Sequence, residues 1–86
     1  MHTVHKFPIK IVDEQSFELP VDSQVLLAGL DPHGKPCIWV ELYDDDKDVK
    51  PRKIFIVGTG TPIPDAAAEH VGSFVSCPFV WHVFTD

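Results

Sequence analysis

Hydrophobic positions recur every second residue along most of this chain, which is the spacing of half-buried β-strands. In VHKFPIKIV, residues 4–12, Phe7, Ile9 and Ile11 fall on one face and Lys6 and Lys10 on the other. Pro8 cannot donate a ladder hydrogen bond, so this strand is expected at a sheet edge or with a bulge. SFELP, residues 16–20, places Phe17 and Leu19 together as a second short strand, and Pro20, Asp22 and Ser23 then signal a turn. QVLLAGLDPHGKPCIWVELY, residues 24–43, reads as a β-hairpin. Its turn is Asp31-Pro32-His33-Gly34, where proline presets φ at the second position and Gly34 can take the left-handed conformation. Beyond the turn, Ile38, Val40 and Leu42 alternate with Trp39, Glu41 and Tyr43, and the apolar Trp39 on the second face predicts a central strand or an interface-forming face.

KIFIVG, residues 53–58, is apolar on both faces and reads as another central strand. Asp65 is in position to cap one or two helical turns through AAAEH, residues 66–70, with Gly72 as the stop. GSFVSC and FVWHVF, separated by Pro78, complete the pattern as two further strands. The expected architecture is a single domain over residues 1–86, mainly β: a small antiparallel sandwich or open barrel of six to seven short strands with one short helix.

Length limits what such a chain can stabilise. At 86 residues it buries about 60–65% of the surface its unfolded form exposes. Eight prolines and five glycines fit short elements joined by frequent turns. The net charge of −6, from 13 acidic residues against seven Lys and Arg, argues against general attraction to nucleic-acid phosphates or anionic lipid. No apolar run has the length of a transmembrane helix, and the first residues lack the apolar core of a secretory signal. Cys37 and Cys77 are therefore expected as free thiols in a reducing cytosol.

The stretch FIVGTGTPIPD, residues 55–65, carries the strongest suggestion of chemistry. Gly58-Thr59-Gly60 begins like a dinucleotide fingerprint, but the third glycine position is Ile63 and no βαβ unit surrounds it. A Walker loop needs a lysine at the helix start, and none lies beyond Lys53. Two readings remain open. Backbone N–H groups around Gly58 and Gly60, with the hydroxyls of Thr59 and Thr61, can cradle a phosphate. Alternatively the glycines only supply positive φ and the prolines only stiffen the loop.

Other candidates are weaker. None of the five histidines stands at zinc-finger or His-Glu-x-x-His spacing, so no metal is expected. Asp44, Asp46 and Asp48 have the one-three-five spacing of a calcium loop, but Val49 and Phe55 occupy its glycine and glutamate positions. Residues 44–52 read as a solvated connection, with Asp44, Asp45, Asp46 and Asp48 as an acidic surface for a protein partner or, less simply, a nucleic-acid mimic. A cysteine paired with His70 or His82 can be drawn, but no nucleophile elbow is present, and catalysis is not expected. The aromatics are numerous for so small a core, which points to an oligomer interface or to stacking on a ligand.

Five segments together, HKFP (5–8), GKPCIWV (34–40), VGTGTPIP (57–64), EHVGSFV (69–75) and VWHVF (80–84), resemble a family of small proteins of unknown function encoded by tailed bacteriophages and prophages. No catalytic or binding residues carry over from it. The resemblance implies a phage accessory protein in the cytoplasm of an infected bacterial host, countering host defence by binding a defence protein or its nucleotide messenger. Two functions follow as expectations. One is a non-enzymatic, cofactor-free homo-oligomer that sequesters a nucleotide-like small molecule. Gly58, Thr59, Gly60 and Thr61 would hold phosphate, Trp39 or Trp81 would stack on a base, His70 or His82 would bond to it, and Arg52 would reach in from a neighbouring subunit. The other is an inhibitor that blocks a host enzyme through the acidic loop and exposed aromatics, with no pocket at all.

Overall fold

The computed structural model describes residues 1–43, 45 and 48–86. The acidic positions Asp44 and Asp46 of the expected interaction surface lie outside the described residues, as does Lys47.

Among the described residues there are seven strands: β1 (His2–Pro8), β2 (Glu14–Pro20), β3 (Gln24–Leu30), β4 (Pro36–Tyr43), β5 (Val49–Gly58), β6 (Glu69–Ser76) and β7 (Phe79–Thr85). They form a three-stranded sheet in the order β1-β4-β3 and a four-stranded sheet in the order β2-β5-β7-β6. Every pairing is antiparallel, and the sheets are not closed into a barrel. The expected edge position of the Pro8 strand holds, because β1 pairs only with β4. β5, read as central, and β4, read as either central or interface-forming, each have a neighbour on both sides.

The β3–β4 hairpin closes at the expected turn. Gly34 donates its N–H to the Asp31 carbonyl at 2.9 Å and takes φ +77°, where a side chain would be strained. The Asp31 carboxylate caps this turn from within: Oδ1 accepts from the N–H groups of His33 and Lys35 at 2.8 and 2.9 Å, and Oδ2 accepts from Lys6 Nζ at 3.1 Å. The Lys35 and His33 amides and the Lys6 ammonium hold its pKa down at about 2.

The inner faces of the two sheets share one apolar core. Ile38, Val40 and Leu42 of β4 meet Ile54 and Ile56 of β5, Val71 and Phe74 of β6 and Val83 of β7, with Leu19, Val25 and Ala28 among them. Phe7, Phe17 and Trp81 pack against this cluster. Gly72 is the close point between the sheets: a Cβ built there would collide with the backbone of Ala28 in β3.

The expected helix over residues 66–70 is absent, and Asp65 and Gly72 have no capping role. Five residues are too few to offset the cost of helix nucleation, whatever the propensity of alanine. The backbone has better partners: Ala67 N–H closes a turn onto the Pro64 carbonyl at 3.0 Å, and Ala68 N–H bonds to the Thr85 carbonyl at the end of β7 at 2.9 Å. That second bond delivers the chain into β6 at Glu69. The first strand also stops at Pro8, so Ile9 is buried but Ile11 lies exposed beyond it.

Candidate functional site

The outward side of the four-stranded sheet is set by its register. Residues opposite each other on paired antiparallel strands share a face. Val57 lies opposite His82, Phe55 opposite Phe84, Ser73 opposite His82 and His70 opposite Phe84. All of these face away from Val83 and Ile56. In a regular strand His70 and Ser73 would point to opposite sides. The register shift between His70 and Gly72 inserts Val71 as an extra residue and turns His70 onto the Ser73 side.

The segment after β5 then folds beside this face. Thr61 N–H returns to the Gly58 carbonyl at 3.0 Å, and Gly60 carries φ +91°, which makes Gly58–Thr61 a tight β-turn of the kind that needs glycine at its third position. Gly58, Thr59, Gly60, Thr61, Ile63, His70, His82 and Phe84 line one open groove of about 270 Å³, floored by Val57. Six of the eight expected ligand residues therefore meet in one place. Among the described residues, no Lys, Arg, Asp or Glu lines it.

A continuous hydrogen-bonded chain runs along the groove. His70 Nε2 lies 3.0 Å from Ser73 Oγ, Ser73 Oγ lies 2.8 Å from His82 Nδ1, and His82 Nε2 lies 2.8 Å from Thr59 Oγ1. Thr59 Oγ1 donates to the Val80 carbonyl at 3.5 Å. One assignment of protons satisfies every link with neutral rings: His70 Nε2–H donates to Ser73, Ser73 O–H to His82 Nδ1, and His82 Nε2–H to Thr59. His82 thus ties the glycine turn to β6, and the ring of His70 tilts against that of Phe84 with centroids 5.2 Å apart.

The backbone offers less to an anion than the glycines suggest. Thr59 N–H is taken by the Val80 carbonyl at 3.4 Å and Thr61 N–H by Gly58, which leaves Gly60 as the amide the turn can present. The side chains, not a nest of amides, are the site's main polar groups.

Two expected residues stand apart from the groove. Trp81 alternates with His82 and lies on the inner side opposite Gly58 and Phe74, packed against the core. With Pro78 and Phe79 it lines a separate groove of about 490 Å³ on the other flank of the same turn, sharing Gly58, Thr59 and Thr61. Trp39 is in the other sheet, on its outward side opposite Lys6 and Leu27. There it belongs to an apolar patch with the exposed Leu26, Leu27 and Val4. The register shift between Val25 and Leu27 is what exposes both leucines.

Of the expected acidic surface, Asp45 pairs with the N-terminal amino group at 3.1 Å, which lowers its pKa. Arg52 is held within its own chain: Nη1 donates to the Ser23 carbonyl at 2.9 Å, and Nε and Nη2 reach Asp86 Oδ1 and Thr85 Oγ1 at 3.4 Å. The guanidinium is thereby fixed away from the groove. Cys37 is buried and Cys77 exposed, both as free thiols, and burial raises the pKa of Cys37. Among the described residues, no three His, Cys, Asp or Glu side chains are placed to hold a metal ion together.

Sequence reasoning did not find Ser73, Ile63 or Phe84 as site residues. The outward period-two positions of β6 and β7 carried that signal for Ser73 and Phe84, once the two strands are paired.

No curated protein and no solved structure matches the chain. A family model described as a domain of unknown function, DUF7352, matches residues 1–86, and the chain belongs to that family.

Proposed function

We propose that this protein is a small phage accessory protein that acts by binding, and that its groove between the Gly58–Thr61 turn and the β6–β7 face captures a nucleotide-type signalling molecule of the host's defence. The observation that carries this reading is the convergence, in one groove, of two threonine hydroxyls, two imidazoles and an aromatic ring with no carboxylate among them. Hydroxyls, imidazole N–H groups and the Gly60 amide suit phosphate oxygens. Phe84 and Ile63 supply an apolar surface for a base. The protein sequesters its ligand without turnover, in the cytoplasm of the infected cell.

Trp39 and Trp81 drop out as partners of that base, because one sits in the other sheet and the other on the far flank of the turn. Trp39, Leu27 and Val4 instead provide the face for self-association. The same exposed patch supports a second reading, an inhibitor that docks on a host enzyme through this sheet and uses the acidic residues Asp44, Asp45, Asp46 and Asp48 for charge complementarity.

Amide and imidazole NMR spectra of the labelled protein test the first reading. Addition of a bound cyclic dinucleotide or ADP-ribose derivative is expected to shift residues 58–61 and the rings of His70 and His82, and to leave Trp39 in place. Shifts confined to residues 4, 26, 27 and 39 on addition of host proteins, with the groove unmoved, would support the inhibitor instead.

A further inference from the structure

We infer that His70 and His82 form a binding site for a divalent transition-metal ion of the zinc, nickel or copper class, at the position now occupied by the Ser73 hydroxyl. Two imidazole nitrogens converge on one oxygen: His70 Nε2 at 3.0 Å and His82 Nδ1 at 2.8 Å. Both rings stand on adjacent strands and on the same outward face. Zinc takes imidazole nitrogen at about 2.0–2.1 Å, so each ring needs to move inward by only about 1 Å. His70 is exposed and free to do so, and it takes the Nδ1–H tautomer when the ion replaces the Ser73 hydroxyl, which frees the Nε2 lone pair.

The second observation is the orientation of His82. A ligating histidine almost always donates its other ring N–H to an oxygen, which fixes the tautomer and leaves the ligating nitrogen with its lone pair. His82 Nε2 has that partner in Thr59 Oγ1 at 2.8 Å, and Thr59 passes the bond on to the Val80 carbonyl. The lone pair on Nδ1 is therefore aimed at the point where the ion sits. Imidazole is a good ligand for zinc, nickel and copper and a poor one for magnesium or calcium, which selects the class of ion.

With the Ser73 hydroxyl turned aside by the ion, the two imidazoles leave coordination positions open toward the groove. Among the described residues the groove's lining holds no Lys or Arg, so a bound ion would supply positive charge there and take a phosphate oxygen directly. That use of the ion rests on the nucleotide reading, whereas binding of the ion alone does not.

Calorimetric titration of the whole chain with zinc chloride, in the absence of any nucleotide, tests the inference. Saturable binding of one ion per chain is expected, weakened at least about tenfold by His70→Ala and by Thr59→Val. The double variant His2→Ala/His5→Ala, which removes the histidines near the N-terminus, is expected to bind as the parent does. In the NMR spectrum, His70 Nε2 and His82 Nδ1 are the nitrogens that respond. His70 is exposed, so its variant folds and the test does not depend on the more buried His82. Absence of saturable binding, or binding that survives His70→Ala and vanishes in the His2/His5 variant, would overturn the site. Nucleotide titration in excess chelator reads the groove separately, so failure of one leaves the other measurable.

Discussion

His82 Nε2 lies 2.8 Å from Thr59 Oγ1, so a ring on β7 fixes the turn that ends β5. Through its other nitrogen the same ring holds Ser73 of β6. Three strands of the four-stranded sheet thus set the shape of one groove. Replacement of His82 by alanine is expected to cost about 1–3 kcal/mol, the net worth of two side-chain hydrogen bonds, and Thr59→Val about 0.5–1.5 kcal/mol. Urea unfolding checks both, and a His82→Ala variant as stable as the parent would contradict the tie.

Gly72 is expected to tolerate no side chain. Its missing Cβ makes room for the Ala28 backbone, and backbone cannot swing aside as a side-chain tip can. Gly72→Ala should cost about 3 kcal/mol or more by overpacking. A chain of 86 residues has a total stability of roughly 4–13 kcal/mol, so the variant loses a large share of its fold. Gly29, which has nothing near its absent Cβ, is the control: Gly29→Ala should unfold close to the parent's midpoint.

Asp31 sets part of the acid stability. Its folded pKa of about 2 lies below the ordinary value of 3.8, held there first by the Lys35 amide. A depressed carboxyl contributes stability that is complete above the unfolded pKa and is lost as pH falls through the folded one. The parent should therefore weaken between about pH 4 and pH 2 more steeply than Asp31→Asn, which starts less stable at pH 7. Thermal melts across that range decide the matter, and parallel curves would contradict it.

The two thiols should separate cleanly by reactivity. Cys77 is exposed, whereas Cys37 is buried with its pKa raised, so its thiolate is both scarce and shielded. A disulfide reagent at pH 8 is expected to titrate one thiol in the native protein and two in denaturant. Two fast thiols in the native state would contradict the burial of Cys37.

Much of this fold is legible in the period-two pattern, because β2 and β4 carry a clear alternation and β5 stands out instead as apolar on both faces. The Asp31–Gly34 turn and the edge position of Pro8 follow from local chemistry that tertiary contacts do not override. The helix over 66–70 failed for the opposite reason: its local propensity lost to the bond from Ala68 to Thr85, which joins residues far apart in the chain. The site divides in the same way. Gly58 to Thr61 could be read from the glycines and threonines themselves. The meeting of His70, Ser73 and His82 depends on the β6–β7 register and on one extra residue, Val71, which no periodicity announces. Trp39 and Trp81 looked like partners for one ligand only while the strand order was unknown.

The most direct test of the groove as a nucleotide site is a thermal-shift screen of the purified protein against cyclic dinucleotides, cyclic oligonucleotides and ADP-ribose derivatives. A ligand at about 100 times its dissociation constant adds about 2.7 kcal/mol, which at this size raises the midpoint by ~10 °C or more. The account predicts such a shift for one class of nucleotide, and its loss in Gly60→Asp, which sets a carboxylate on the turn where phosphate is to bind. A flat response across the panel, or a shift that Gly60→Asp leaves intact, would contradict it.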